Sequence, residues 1–427
     1  MSERTGIGHR LRRLRTARGL TQRELGSPRY THAYVSTIEA GRRRPSREAL
    51  EHFAGKLGVT VDELATGRAP DLVARLRFEL QEARADVSAG RSEAAESGLE
   101  RIVRTAKRFG LTRIRAAALE ISGLRLLRSG QPEEALQRYQ AAEELIRDEA
   151  PTARVDAVDG KATCFHALGD VRYAVFLLES LLDEIERSGL RDPDALARVH
   201  SGLVFFYLDA GLYAKAAGAA AELERLAPRL RDPARVAQMH MNVARQYLTE
   251  GRTEDAERSL GRAEDIYRQL RLLAEIGGAH LARGYVLSRE GRFEEARQEL
   301  ERALATFEET GDVADLTRTL NELGRVERLE GRVDRARELL ERSIALLGTR
   351  DAPILGWAHR ELGFLLAERQ PTTAEKHLRT AIEVFERTEQ PVDLAISYRA
   401  LGDVLGAGGD PAGASDAYRT GILALER

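Results

Sequence analysis

Three consecutive arginines, Arg42-Arg43-Arg44, close a stretch that opens with Gly19-Leu20-Thr21-Gln22-Arg23-Glu24-Leu25 and passes through Tyr34-Val35-Ser36-Thr37-Ile38-Glu39. A guanidinium carries a permanent charge and a rigid fork of N–H donors, which suits it to phosphate oxygens. Two short helices with a bend between them, ending in such a cluster, combine local structure and charge as a duplex-reading module requires. The charge distribution points the same way. Residues 1 to 69 hold 14 Lys plus Arg against 7 Asp plus Glu, whereas the other 358 residues hold 52 against 61. A polyanion is therefore expected to meet the amino-terminal end, where clustered cations release the most counterions.

Other chemistries find no support. There is no phosphate-cradling glycine loop, no His-Glu-x-x-His, no nucleophile elbow and no paired-cysteine site, so no enzyme, cofactor or metal is expected. The single cysteine, Cys164, excludes an intramolecular disulfide and reads as an apolar helical filler in a reducing cytosol. Met1 to Arg15 is charged where a signal peptide needs an apolar core, and no apolar run approaches a membrane span. A cytoplasmic protein without a membrane partner is expected. At 427 residues, 43% apolar and 31% charged, the chain should be multidomain or an extended repeat array, and the division falls between 1–69 and 70–427.

The elements that must position the arginines are legible one by one. Ile7, Leu11, Leu14 and Ala17 share a helical stripe whose solvent side is Arg10, Arg12, Arg13 and Arg15, and Gly19 is its stop. Thr21 caps a second helix, with Glu24 completing a capping box and Leu25 turned inward, until Gly26-Ser27-Pro28 breaks it. Thr31 caps a third helix that buries Val35 and Ile38 and stops at Gly41. Ser46 caps a fourth, with Leu50, Phe53, Ala54 and Leu57 on its apolar face and Gly58 at its end. Val61 to Leu64 forms a short fifth.

Arg-Gly-Leu-Thr-Gln (18 to 22), Ser-x-Ile-Glu-x-Gly (36 to 41), Arg-Pro-Ser (44 to 46) and Leu-Gly-Val (57 to 59) resemble the helix-turn-helix of phage repressors and of xenobiotic-response-element-like bacterial regulators, over about residues 7 to 67. The resemblance implies that Gln22 binds a backbone phosphate and that His32, Ala33, Ser36 and Thr37 face base edges in the major groove. It also implies that Arg42, Arg43 and Arg44 reach phosphates while Arg15 pairs with Glu39 to hold helices together. The chain departs from the pattern in two places. The link from Leu25 to Ser36 is one residue short and contains Pro28, and Ala33 can touch at most a thymine methyl.

Beyond residue 70 a glycine followed five residues later by alanine recurs, as in Gly90 and Ala95, Gly211 and Ala216, Gly331 and Ala336, and Gly409 and Ala414. Arg369 with Ala374 keeps the register where the glycine is missing, which makes nine units spaced 38 to 42 residues apart. Small residues seven positions before the turn, such as Gly284 or Gly324, and seven after the alanine, such as Ala263 or Ala303, let two helices approach closely. The pattern resembles the tetratricopeptide repeat with a lengthened period, like that of peptide-sensing bacterial regulators. The expected fold is all-α: a five-helix helix-turn-helix domain followed by a right-handed superhelix of about nine helical hairpins.

Such a superhelix presents its first, or A, helices on a concave wall. In the fifth to seventh units that wall should show Arg245, Tyr285 and Arg325, with Asn242, Asn321, Arg318 and Arg328 nearby. Arginines there would pair the carboxylates of an extended peptide, and the chain's only two asparagines would satisfy its backbone amides. His200, His240 and His280 also recur one unit apart. Stacked hairpins separate equivalent positions by roughly 10 Å, too far for one metal, so these read as packing residues. Two functions follow as expectations. One is a dimeric transcriptional regulator that binds double-stranded DNA and whose repeats take a peptide or protein effector. The other is an interaction scaffold that its head merely localises to DNA.

Overall fold

The computed structural model describes residues 6–348, 352–388 and 390–425, and every regular element among them is helical. Its contacts fall into two compact units, Met1–Gln81 with Arg101–Ile114, and Glu82–Glu100 with Arg115–Arg427.

The first unit contains α1 (Ile7–Ala17), α2 (Gln22–Gly26), α3 (His32–Glu39), α4 (Arg47–Leu57) and α5 (Val61–Thr66). Each helix from α2 onward starts on a hydroxyl residue. Thr21 Oγ1 accepts from Glu24 N at 3.1 Å while the Glu24 carboxylate accepts from Thr21 N at 2.7 Å, closing a capping box. Thr31, Ser46 and Thr60 accept in the same way from Tyr34 N, Ala49 N and Glu63 N. Caps of this kind contribute about 1 kcal/mol each, which matters for helices as short as these. Leu11, Leu25, Val35, Ile38, Phe53, Leu57 and Leu64 form a shared core from all five helices. Gly8 lies where α1 crosses the end of α3: a Cβ there would come 2.0 Å from Ile38 O.

Among the described residues the α-helices from residue 72 onward pair as nine hairpins, of which the first spans both units. The first three are α6 (Leu72–Ser88) with α7 (Ser92–Phe109), α8 (Thr112–Arg128) with α9 (Pro132–Leu145), and α10 (Val155–Ala167) with α11 (Val171–Ser188). The middle three are α12 (Pro193–Asp209) with α13 (Tyr213–Leu226), α14 (Pro233–Thr249) with α15 (Thr253–Leu270), and α16 (Leu273–Arg289) with α17 (Phe293–Thr310). The last three are α18 (Val313–Leu329) with α19 (Val333–Leu347), α20 (Pro353–Leu366) with α21 (Pro371–Arg387), and α22 (Pro391–Ala407) with α23 (Pro411–Ala424). From α10 onward each even-numbered A helix packs on its own B helix and also touches the next A helix, giving the superhelical wall of A helices.

The recurrent glycines sit at the A-to-B turns with positive φ, for example 72° at Gly90 and 78° at Gly331. The eighth turn shows why Arg369 is tolerated there. α20 ends early, at Leu366, and Gln370 N closes the turn on Leu366 O without a left-handed residue. The small residues within the A helices receive B-helix side chains: a Cβ on Gly284 would lie 2.6 Å from Leu300 Cγ, and one on Gly324 2.8 Å from Leu340 Cγ.

Contacts also run between hairpins far apart in sequence. Ser88 Oγ accepts from Ala274 N at 3.2 Å and donates to Glu275. Arg128 reaches Glu275 Oε1 at 2.8 Å and Asp312 Oδ2 at 3.4 Å. A Cβ on Gly90 would lie 2.3 Å from Thr310 O, and one on Gly169 2.8 Å from Thr388 Cγ2. The first turns thus lie against B-to-A junctions in the second half of the array, so one pass of the superhelix rests on another. A nearest-neighbour repeat pattern carries no information on such contacts.

Candidate nucleic-acid interface and the repeat wall

In the amino-terminal unit, α3 buries Val35 and Ile38 and leaves His32, Ala33 and Ser36 exposed on its opposite side, with Thr37 half-buried beside them. Thr37 Oγ1 donates to Tyr34 O at 2.8 Å, which leaves its lone pairs available as acceptors. The chain turns at Gly41 (φ 73°) and delivers Arg42, Arg43 and Arg44 to the surface. Among the described residues none of the three has a carboxylate partner. Arg43 instead lies 4.9 Å above the Tyr34 ring, which is itself stacked on Tyr30 at 5.0 Å. A stack of this kind holds a guanidinium in place without neutralising it.

Beneath this surface Arg15 makes a bidentate pair with Glu39, Nε to Oε1 at 2.6 Å and Nη2 to Oε2 at 3.0 Å, and its Nη1 donates to Leu20 O at 2.7 Å. The hydrogen bond to Glu39 raises the Arg15 pKa further. Gln22 is drawn into the same group: its Nε2 donates to Glu39 Oε2 at 2.9 Å. This engages one of the two N–H donors of the amide. His52 was not singled out in the sequence, yet its Nε2 lies 3.2 Å from Leu25 O and 3.0 Å from Gly26 O, tying α4 to the end of α2. The only sequence signal for it was its place on α4 beside buried Phe53.

A helix-turn-helix domain model matches residues 7–66, and a tetratricopeptide-repeat model matches residues 275–348. The chain joins a helix-turn-helix head to tetratricopeptide repeats. The head is 41% identical over 59 residues to the HTH-type transcriptional regulator DdrOP3 of Deinococcus deserti. That stretch is 14% of this chain and 46% of the relative, so the chain spans about half the length of the curated relative it matches. A Rap protein complexed with competence and sporulation factor superposes with a TM-score of 0.60 at 14% identity, covering 83% of this chain and 98% of that one. The apo form of the quorum sensor NprR from B. thuringiensis gives 0.51 at 12% identity, covering 83% and 100%. Both share the fold.

On the repeat wall, most of the polar side chains expected to face a groove are engaged with one another. Arg318 pairs with Asp315 at 3.0 Å, Arg325 with Glu322 at 2.6 Å, and Arg328 with Glu361 at 2.9 Å while lying over the Phe364 ring. Asn321 Nδ2 donates to Ile354 O at 2.9 Å, and Asn242 is buried. Tyr285, partly exposed, accepts through its hydroxyl from Arg289 at 2.8 Å. Arg245 differs. Among the described residues it has no carboxylate partner and rests 4.4 Å from the Phe205 ring centre. Burial lowers its pKa, with Asp209 opposing and Arg318 reinforcing that effect.

A second polar group on the A helices has no counterpart in the sequence reading. Arg198 pairs with Asp159 at 2.5 Å, and Arg235 pairs with Asp156 at 2.6 Å. Burial pushes the carboxyl of Glu120 up, reinforced by the charge of Asp156. Burial would raise Asp156 too, but Arg235 and Arg198 outweigh it and hold that carboxyl down. Of the three recurrent histidines, His280 Nδ1 lies 2.7 Å from Glu299 Oε2, whereas burial lowers the pKa of His200 and His240. Among the described residues no group of three or more His, Cys, Asp or Glu could hold a metal, and no helix is long and apolar enough to cross a membrane. Cys164 is buried against Leu126, Ala135 and Tyr139, and burial pushes its thiol up to about 12.

Proposed function

We propose that the protein is a DNA-binding transcriptional regulator in which residues 1–69 read the duplex and residues 70–427 bind a peptide or protein effector and pair two copies of the chain. The observation that carries the first part is the exposed side of α3 followed at once by three arginines without carboxylate partners. α3 offers Ser36 and Thr37 hydroxyls, the His32 imidazole and the Ala33 methyl to base edges, and Arg42 to Arg44 take phosphates on either side of the groove. Arg15 and Glu39 hold α1 against α3 so that this surface is presented as one piece. The 41% identity of the head to a transcriptional regulator supports the same reading.

For the effector, support comes from the fold shared with a Rap protein solved with competence and sporulation factor and with the quorum sensor NprR. Arg245 is the arginine on the wall with charge to spare, and a peptide carboxylate is its natural partner. Arg318, Arg325, Arg328, Asn321, Asn242 and Tyr285 would contribute by exchanging internal partners for the ligand. An effector that favours one curvature of the superhelix shifts the spacing of two heads by its differential affinity.

The test is the salt dependence of duplex binding. Arg42, Arg43 and Arg44 replaced together by alanine should weaken binding to all duplexes and flatten the log–log salt slope by roughly 2 to 3. Thr37→Ala should leave that slope alone and change the preference among sequences. An unchanged slope in the triple variant removes the arginines from the phosphate interface.

A further inference from the structure

Between passes of the superhelix, within the repeat unit, lies an open cavity of about 650 Å³. One wall is made by A-to-B turns, with Leu127, Leu168 and Leu208 from the second, third and fourth hairpins. The other is made by the beginnings of later A helices, with Val313, Ile354 and Trp357 from the seventh and eighth. These are opposite edges of the ribbon of hairpins, and the cavity adjoins the concave wall at Arg318, which lines both. The contacts of Gly90 and Arg128 with Thr310 and Asp312 lie on one side of it, and that of Gly169 with Thr388 on the other.

The size and the chemistry of the lining define what fits. The volume falls in the range of about 300 to 1,000 Å³ that holds drug-sized ligands. Polar groups on the walls have partners within the protein: His166 Nε2 lies 2.7 Å from Asp209 Oδ2, Arg318 pairs with Asp315 at 3.0 Å, and Asp393 pairs with Arg360. Glu133 is exposed to solvent. Most of the lining is apolar, with Leu127, Leu168, Leu208, Val313, Ile354 and Trp357 on facing walls, so an apolar body gains from leaving water there. We infer that the seam between passes is a second ligand site, one that takes a neutral, predominantly apolar small molecule. Because its walls belong to different passes, the ligand makes its full contacts only when the passes are closed. Occupancy therefore stabilises the closed superhelix by linkage.

Trp357 is the only tryptophan of the chain and lies on this wall, so the protein carries its own probe. The experiment titrates the full chain with the neutral fluorophore N-phenyl-1-naphthylamine and follows energy transfer from Trp357. The inference predicts saturable transfer at one probe per chain and a rise in thermal midpoint with probe concentration. Trp357→Phe should abolish the transfer while the probe's own enhancement persists. Ala314→Phe, which fills the cavity from a half-buried wall position, should weaken the probe by roughly tenfold or more, about what excluding one aromatic group from an apolar site costs. If that variant does not fold, Val392→Lys at an exposed rim position should weaken it in the same direction. Transfer that never saturates, or equal probe affinity in the folded variants, overturns the inference. Neither outcome bears on duplex binding by the head, which is measured separately.

Discussion

Glu39 organises the head more than any other single residue, because one carboxylate accepts from both Arg15 and Gln22 while its side chain is only 4% exposed. Glu39→Ala leaves the Arg15 guanidinium, 12% exposed, without its counter-charge. Breaking a buried pair from one side is expected to destabilise the head by about 3 kcal/mol, and Glu39→Gln, which keeps one acceptor oxygen but not the charge, should recover only part of that loss. Chemical unfolding of the two variants checks this, and equal stability of Glu39→Ala and the parent protein would sink it. The pair itself was readable by analogy from Glu39 and Arg15 in the sequence. The inward turn of Gln22 was not, since nothing in the local sequence says which of two acceptors, phosphate or Glu39, is within reach before a duplex arrives.

The individual helices were legible for a physical reason: their ends are written in local chemistry. Thr21 with Glu24, Thr31 and Ser46 each satisfy an orphan N–H within three residues, and Gly41 and Gly58 take left-handed turns. Contacts between passes leave no such mark. Gly90 looks like every other turn glycine, yet it meets Thr310, whereas Gly251 has the same φ of 72° and nothing within reach of a Cβ. Gly251→Ala should therefore cost only the left-handed strain, roughly 1 kcal/mol, and Gly90→Ala measurably more, because backbone must move. Equal losses in thermal unfolding would deny that the passes touch there.

The eighth hairpin offers a test by acidity. His359 Nδ1 lies 2.9 Å from His377 Nδ1, a hydrogen bond in which only one of the two nitrogens carries a proton. Burial, reinforced by His377, holds His359 down to about 4, from an ordinary value of 6.5, and burial lowers His377 also, with Glu341 opposing. Between those values the unfolded chain binds protons that the folded one refuses. The stabilisation is therefore complete above pH 6.5 and is lost as the pH falls from 6.5 towards 4. Urea unfolding at pH 5 and pH 7 should show a smaller pH effect in His359→Leu than in the parent. An identical pH effect in both would contradict the assignment.

For the whole molecule, the charge split and the nine-unit period made a basic head and a long repeat body legible from residue types alone. The periodicity could not show that the wall arginines are largely spent on Asp315, Glu322 and Glu361, because those pairings depend on helix rotation and on neighbouring hairpins. Under the proposed function, selectivity on DNA is expected from two sources, a sparse set of base contacts on α3 and the spacing of two heads in a pair of chains. The most direct measurement is selection of duplexes from a random pool by the full-length protein. The account predicts enrichment of a two-fold related site whose halves lie about one duplex turn, or a multiple of it, apart, and loss of that enrichment in Thr37→Ala. A pool that stays unenriched, with affinity indifferent to sequence, would contradict it.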